Sequence, residues 1–564
     1  MNIAASLLAY ILSATGVTIT FPSDGGTYDG DWLMLRAIVE NDDELPDSVL
    51  YVLNGQAPVP VERLVTDWYT YMQDDLHHGY SESPAPHDDT ILWAAPVTGD
   101  YHEFPTPVIV EGVVYYPSNY GKDSLYALDA ATGEVLWRYP TGYTDDAVTV
   151  KDGLLYTASD SLWCLDSSTG ARVWASAEAD ANGSTPAVWE GGVFAGTADF
   201  NPTESQVCRF DALTGDIEWT RTLPGYTASC LTVWDGMVFV PTYDGNLYAL
   251  NALDGSIIWQ NSDSYGGYWD SSPTVVNGII YIAGIDSRVR AVNTSSGNTI
   301  WEVDITPGTY ISATLAYRDG KLYFADQVDT YHCLDASDGS SLWWVPGVHH
   351  GSSGLADGIA FYGEGSNYYD ATARVMAIDW DDGQTVWSYT TTSGPYGIVS
   401  CPAITDGVMY IAATDWNLYA FGTGLKYTYR DEYLYADVGP NQLIVTSFDG
   451  GTAVAADTVS FTVTQEGITL DPSTRLALQA FPNPFRSSTA VSFVLPEPGV
   501  ASLEVYDLSG RLVRVLADGG FASGEHIFAW DGTDEGGREV GAGIYLCRIT
   551  AGSVTENTGL CLLR

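Results

Sequence analysis

LYALDAATGEVLW, residues 125–137, decides how the rest of the 564-residue chain is read. A run of apolar residues leads up to Asp129, a turn follows to Gly133, and a second run ends on Trp137. The same frame returns as LWCLDSSTGARVW (162–174), VCRFDALTGDIEW (207–219) and LYALNALDGSIIW (247–259). It recurs again as VRAVNTSSGNTIW (289–301), YHCLDASDGSSLW (331–343) and VMAIDWDDGQTVW (375–387). In every copy an Asp or Asn precedes a Gly by four positions and a Trp follows that Gly by four. The pairs are Asp129/Gly133, Asp166/Gly170, Asp211/Gly215, Asn251/Gly255, Asn293/Gly297, Asp335/Gly339 and Asp379/Gly383. An Asx side chain accepts backbone N–H bonds in such a turn, and Gly takes the positive φ that closes it.

Upstream of each copy lies another strand pair, as in LTVWDGMVFVPTYD (231–244) and PAITDGVMYIAATD (402–415). Each unit is then four short strands in about 42 residues, the make-up of a β-propeller blade. One blade cannot cover its two apolar faces, whereas a ring of them can. Trp137, Trp174, Trp219, Trp259, Trp301, Trp343 and Trp387 are expected to pack between blades, each burying roughly 150–250 Å². The last unit ends in NLYAFG and has no Trp of its own. TILWAAP, around Trp93, supplies the missing outer strand, which closes the ring at eight blades and removes two exposed edges.

Composition agrees. Aromatics make up 13% of the residues and Gly reaches 58, which favours pleated strands and tight turns and so an all-β class. The formal charge of −50 repels phosphate backbones and anionic lipid, which sets nucleic acid aside as a partner. The cysteines, Cys164, Cys208, Cys230, Cys333, Cys401, Cys547 and Cys561, lack the paired spacing of a zinc site. Cys547 and Cys561 fall in one hairpin region, where they either pair or remain two buried thiols. Residues 1–16 carry an apolar run too short to span a bilayer and suited to a signal peptide, although without a basic start. No other stretch suits a transmembrane span.

On either side of the repeats, residues 17–62 and 425–467 alternate apolar and polar, as in WLMLRAIVE, SVLYVLNG, NQLIVTSFDGG and DTVSFTVTQ. Neither piece has enough strands to stand alone, but together they supply about seven, as an Ig-like sandwich needs. The expected fold is therefore an eight-bladed β-propeller (63–424) inserted into an Ig-like β-sandwich, with a second Ig-like β-sandwich at 468–564.

The repeat array, about residues 67–424, resembles the pyrroloquinoline-quinone-like repeat family. That family includes quinoprotein dehydrogenases and the propeller lipoprotein of the outer-membrane β-barrel assembly machinery. Its lead-in, DWYTYMQDDLHHGYS (67–81), is similar to the segment before the first blade in relatives, which gives His77 and His78 a structural role. The C-terminal segment resembles the sorting domain of type IX secretion cargo and flagellar-hook-capping Ig-like modules. The residues that carry this likeness are Asn483-Pro484, Val505-Tyr506-Asp507, Trp530-Asp531-Gly532, Gly543-Ile544-Tyr545 and Arg564. It implies passage across a Gram-negative outer membrane; the plain alternative is an accessory sandwich.

The family likeness invites a quinone cofactor, and the residues argue against it. A tricarboxylate wants cationic clamps, yet Arg138, Arg172, Arg221 and Arg290 fall on or beside outer strands, and no two cysteines are adjacent. No phosphate loop, nucleophile elbow or metalloprotease helix is present. No cofactor, metal or catalytic residue is therefore assigned. Aligned on the Gly of the inner hairpin, position −6 holds Thr106, Ala147, Thr185, Cys230, Ser272, Thr314, Ser352 and Cys401, small residues suited to a narrow channel. At or next to position −10 stand His102, Tyr143, Tyr226, Tyr268 with Trp269, Tyr310, His349 and Tyr396, in loops around one channel mouth. These rings either contact a ligand or cap the channel. The expectation is a secreted or cell-surface binding scaffold for a protein, peptide or glycan, which meets the secretion machinery through its C-terminal domain. The alternatives are a secreted propeller enzyme, quinone-dependent or polysaccharide-degrading, and an envelope assembly factor.

Overall fold

The structure is a computed structural model. It describes residues 16–21, 27–29, 32–41, 48–53, 59–60, 62–97, 105–118, 124–142, 147–159, 161–176, 184–197, 204–227, 229–262, 271–305, 310–327, 330–347, 351–365, 373–391, 400–413, 415–435, 439–449, 452–464, 477–481, 489–495, 498–507, 511–522, 524–534, 538, 540, 543–551 and 554–562. All regular elements among them are strands. The proposed signal peptide lies outside the described residues except for Gly16, which opens the strand Gly16–Phe21.

Eight antiparallel sheets form the propeller. The first blade runs from its inner strand Val108–Val110 through Val113–Ser118 and Ser124–Asp129 to the outer strand Val135–Tyr139. Middle strands are mostly buried because neighbouring blades cover both faces, Met237–Pro241 along its whole length. Outer strands such as Thr299–Asp304 alternate half-buried and exposed. The eighth blade pairs Leu418–Phe421 with Ile91–Ala95, setting Trp93 opposite Ala420 and Ala94 opposite Tyr419. This seam closes the ring.

Six of the eight repeat Trp residues do two things for the next blade. Each indole N–H donates to a turn carbonyl there: Trp93 to Ala130, Trp137 to Ser167, Trp174 to Ala212, Trp219 to Ala252, Trp259 to Thr294 and Trp301 to Ala336, at 2.7–3.1 Å. Each ring also lies flat on the turn Gly, so a Cβ at Gly215 would sit 2.5 Å from Trp174. The turn is closed by the Asx residue as expected: Asp211 Oδ1 accepts the N–H groups of Leu213 and Thr214 at 2.9 and 2.8 Å. Trp343 lies against Gly383 without such a bond to its N–H, and Trp387 turns to Pro86 O at 2.9 Å. In all eight blades the third strand bulges immediately after the residue opposite the Trp, for example between Cys164 and Leu165. A bulge re-aims the side chain beside it.

The propeller interrupts a sandwich. Trp32–Asn41 pairs with Gly16–Phe21 on one edge and with Leu425–Tyr435 on the other, and Ser48–Leu53 pairs with Gly439–Asp449. Arg63, just before the propeller, bonds Asp406 at 2.7 Å and stacks over Tyr427. The C-terminal unit is a separate sandwich of two sheets, Ala477–Phe481 with Thr489–Leu495 and Gly524–Trp530, and Leu512–Phe521 with Gly499–Asp507, Gly543–Ala551 and Val554–Leu562. Trp530 is buried in its core with Val505, Tyr545 and Leu560. Cys547 is a free buried thiol standing opposite Thr558, so the alternative of a Cys547–Cys561 bridge is not the one adopted.

Candidate ligand-binding face and channel

Every inner strand is the last strand of its own blade, only Gly354–Ala356 gaining a further parallel partner in Tyr80–Ser81 of the lead-in, and its backbone N–H and C=O groups need partners when buried. Two sets of bonds between neighbouring blades supply some of them. At position −6 three hydroxyls serve the blade before them: the N–H of Cys230 donates to Ser272 Oγ, that of Ser272 to Thr314 Oγ1 and that of Thr314 to Ser352 Oγ, at 2.9–3.0 Å. At position −4 the hydroxyls of Thr149, Thr232 and Thr274 donate to the carbonyls of Pro186, Pro273 and Leu315 in the next blade. The eight −6 residues are all buried. Small size was legible in the sequence; the relay of hydroxyls between blades was not.

Further edge groups are met by the lead-in, which enters the channel as a plug. Trp68 exchanges both backbone bonds with Ile109, Tyr69 O accepts from Val150, Leu76 O from Val275, His78 O from Tyr317 and Gly79 O from Leu355, at 2.7–3.0 Å. All five inner-strand residues stand three positions before the hairpin Gly. Thr66 and Ser83 bond Thr405 and the Gly407 N–H of the eighth blade. The plug reaches all these registers through left-handed backbone at Met72, Gln73 and His77. Tyr71 crosses to the −6 layer, its hydroxyl 2.8 Å from Ser352 Oγ and 3.2 Å from Thr314 Oγ1. Burial pushes that hydroxyl well above the usual phenol range.

His77 and His78 are structural members of this plug. His77 is buried, with Nδ1 3.1 Å from Pro273 O, and burial brings its pKa down to about 4, so the ring is neutral. For His78 burial opposes the charge, but the Asp74 carboxylate at 2.6 Å outweighs it and raises the pKa. Its Nε2 meets Val275 O at 2.9 Å. Both ring nitrogens face protein acceptors, which leaves neither lone pair for a metal.

The plug closes the end of the channel where the inner hairpins turn. The outer-to-inner loops gather at the other end, the upper face, and of the aromatic rim two members are described there. Tyr310 is 49% exposed, its carbonyl accepting the Gln327 N–H at 3.0 Å. Tyr226 is half-buried and packs edge-on to Tyr243 with centroids 5.0 Å apart. One rises to solvent and the other caps. His102, Tyr143, Tyr268, Trp269, His349 and Tyr396 lie outside the described residues.

A quinone tricarboxylate does not fit the −6 layer. The groups there are hydroxyls, methyls, the Tyr71 phenol and the thiols of Cys230 and Cys401, both acidic partners being uncharged because burial holds the Cys401 thiol and the phenol up. The buried guanidiniums sit elsewhere, on third strands: Arg290 pairs with Asp286, and Arg209 with Glu218. Among the described residues no three or more His, Cys, Asp or Glu side chains cluster as metal ligands.

A closed ring of eight four-stranded repeats carrying its own plug, with an Ig-like unit at the C-terminus, defines a propeller-repeat protein. Residues 84–186, 158–306 and 285–423 match the family described as outer membrane protein assembly factor BamB, and the chain belongs to that family. Residues 484–554 match the FlgD Ig-like domain. No curated protein matches the chain. Among solved structures the chain is similar to a quinohemoprotein alcohol dehydrogenase from Comamonas testosteroni at 15% identity and a TM-score of 0.53, covering 66% of this chain and 81% of that one. The quinohemoprotein alcohol dehydrogenase ADHIIG from Pseudomonas putida HK5 gives 14% and 0.51, covering 66% and 80%. BamB from Moraxella catarrhalis gives 15% and 0.48, covering 59% and 99%. At such identities the likeness shows the fold alone.

Proposed function

We propose that the protein is a secreted or cell-surface binding scaffold without catalytic chemistry, whose upper propeller face takes a protein, peptide or glycan. The observation that carries this reading is the plug: residues 66–83 fill the lower end of the channel and bond its inner strands. What is left for a partner is the upper face, where rigid blades present Tyr310 to solvent. The absence of a cationic clamp in the −6 layer supports binding over quinone chemistry. In this reading the C-terminal sandwich is a type IX sorting handle, delivering the protein to the outer surface of a Gram-negative-type bacterium.

Replacing Tyr226, Tyr268 and Tyr310 together by Ala is expected to abolish capture of a partner from the producing cell's surface fraction while the fold persists. Unchanged capture counts against the reading. A quinone absorption change or dye reduction on adding pyrroloquinoline quinone and calcium to the protein would replace it with the enzyme alternative.

A further inference from the structure

In the eighth blade the turn between Val408–Ala412 and Leu418–Phe421 reads AATDWNLY (412–419), where the fourth blade reads PTYDGNLY (241–248). The two turns share one hydrogen-bond pattern. Thr242 N–H donates to Asn246 O at 2.9 Å and Gly245 N–H to Thr242 O at 3.1 Å; Ala413 N–H donates to Asn417 O at 3.0 Å and Trp416 N–H to Ala413 O at 3.1 Å. Trp416 therefore stands where the fourth blade has Gly245, and both are left-handed, with φ of 72° and 87°. The fifth blade places a small residue there, Ser287, at 68°.

A bulky L-residue in this region presses its Cβ on the following carbonyl, a strain that Gly245 avoids. Burial does not repay it, because Trp416 is 56% exposed. The turn itself is held firmly: Asp415 accepts the Tyr419 hydroxyl at 2.5 Å, and Asn417 Nδ2 donates to Asp415 O at 3.2 Å. A strained, exposed indole on a rigid turn is what a contact residue looks like. The turn between second and third strands lies at the same end of the blade as the outer-to-inner loops, so Trp416 shares the upper face with Tyr226 and Tyr310.

We propose that Trp416 is a stacking platform for the ring of a neutral saccharide, an inference that rests on the upper face being the binding face. The indole face is electron-rich and attracts the polarised C–H face of a pyranose. Around the same end of the blades the described polar groups include amides, hydroxyls and carboxylates, and the guanidiniums of Arg288 and Arg374 there are already paired with Glu302, Asp304 and Glu364. Gln260 bonds Asn246 at 2.8 Å, Gln327 bonds Ser312 at 2.8 Å, and Asp415 and Asn417 flank the indole. Such groups match sugar hydroxyls, whereas an anionic glycan would meet a chain of charge −50.

The test is electrophoresis of the full-length protein through gels containing a soluble β-glucan, a xylan, a mannan or an acidic pectate. Retardation by at least one neutral polymer is expected. It should weaken at least tenfold in Trp416→Gly and Trp416→Asn, both residues at ease in this backbone, with a thermal midpoint at or above the parent's. Retardation by pectate alone, by no polymer, or equally in parent and variants overturns the proposal, as does a lowered midpoint in both variants, which makes the Trp structural. If the Trp416 variants keep both polymer retardation and the surface-fraction capture that the Tyr226/Tyr268/Tyr310 variant loses, the platform is refuted and the upper-face reading stands. Loss of neither refutes both.

Discussion

Trp174 lies flat on Gly215 of the following blade, so close that a methyl group there would sit 2.5 Å from ring atom Cε3. The glycine is fixed twice, by a φ of 76° and by the indole above it. Gly191 has a similar φ of 72° but nothing within 4 Å of a built Cβ. Gly191→Ala is therefore expected to cost about 1 kcal/mol, the backbone share alone. Gly215→Ala should cost about 2–4 kcal/mol, since it adds overpacking. Denaturant midpoints of the two variants check this; equal losses would mean the indole contact contributes nothing.

The seam gives a second expectation. Trp93 Nε1 donates to Ala130 O at 2.9 Å, and its ring meets Gly133 and Tyr410. Trp93→Ala is expected to cost about 3–5 kcal/mol and to loosen Ile91–Ala95 from Leu418–Phe421. Amide hydrogen exchange should show Tyr419 and Phe421 losing protection before the middle strands of blades 3 to 5. Uniform loss around the ring would count against a seam that opens first.

Protons act on the plug. His77 has a folded pKa of about 4 against an ordinary 6.5, so between those values the unfolded chain binds a proton that the folded chain does not. Its contribution, on the order of 3 kcal/mol, is present in full above pH 6.5 and drains away as the pH falls towards 4. Asp406 works the other way: burial pushes its carboxyl up to about 6, so it favours the folded state at low pH and loses that contribution as the pH rises through 6. The difference between parent and His77→Asn isolates the imidazole. Stability of the variant should fall less than the parent's between pH 6.5 and 4, read from chemical denaturation at each pH; parallel curves would refute a neutral buried His77.

Six described cysteines are buried thiols outside any disulfide. Burial pushes the thiols of Cys164, Cys333 and Cys547 up to about 12. At pH 8 they should resist iodoacetamide in the native protein and react once the chain is unfolded. Mass spectrometry of tryptic peptides reads this directly. Fast native labelling of Cys547 would show the C-terminal sandwich to be loosely packed.

The ring was legible because one turn chemistry repeats. Asp129 and its equivalents, the turn Gly and the Trp hold fixed spacing, and the unpaired third strand at NLYAFG demanded TILWAAP. The interrupted sandwich was legible from two half-sets of alternating strands. What escaped was the second reason for each turn Gly, since positive φ alone explained it and the indole comes from another blade. The lead-in read as structural, but its path could not be read: three left-handed residues in a short stretch have no periodic signature. Of the aromatic rim, alignment placed Tyr226 and Tyr310 at one end of the blades, yet not that Tyr226 leans on Tyr243. Trp416 was visible all along as DWNLY beside DGNLY, an oddity whose meaning needed the backbone angle.

The plug and the seam also set an order of events on the ribosome. Arg63 waits for a partner, Asp406, made 343 residues later, and the carbonyl of Pro86 waits for Trp387, 301 residues later. The first-made strand of the ring cannot dock until the last blade has emerged, so a nascent chain holds its central segment unroofed through most of synthesis. Contacts of such long sequence separation fold slowly. Blades therefore gather around the early segment like staves around a mandrel, and the ring is sealed only once its last blade, ending at Phe421, has been made.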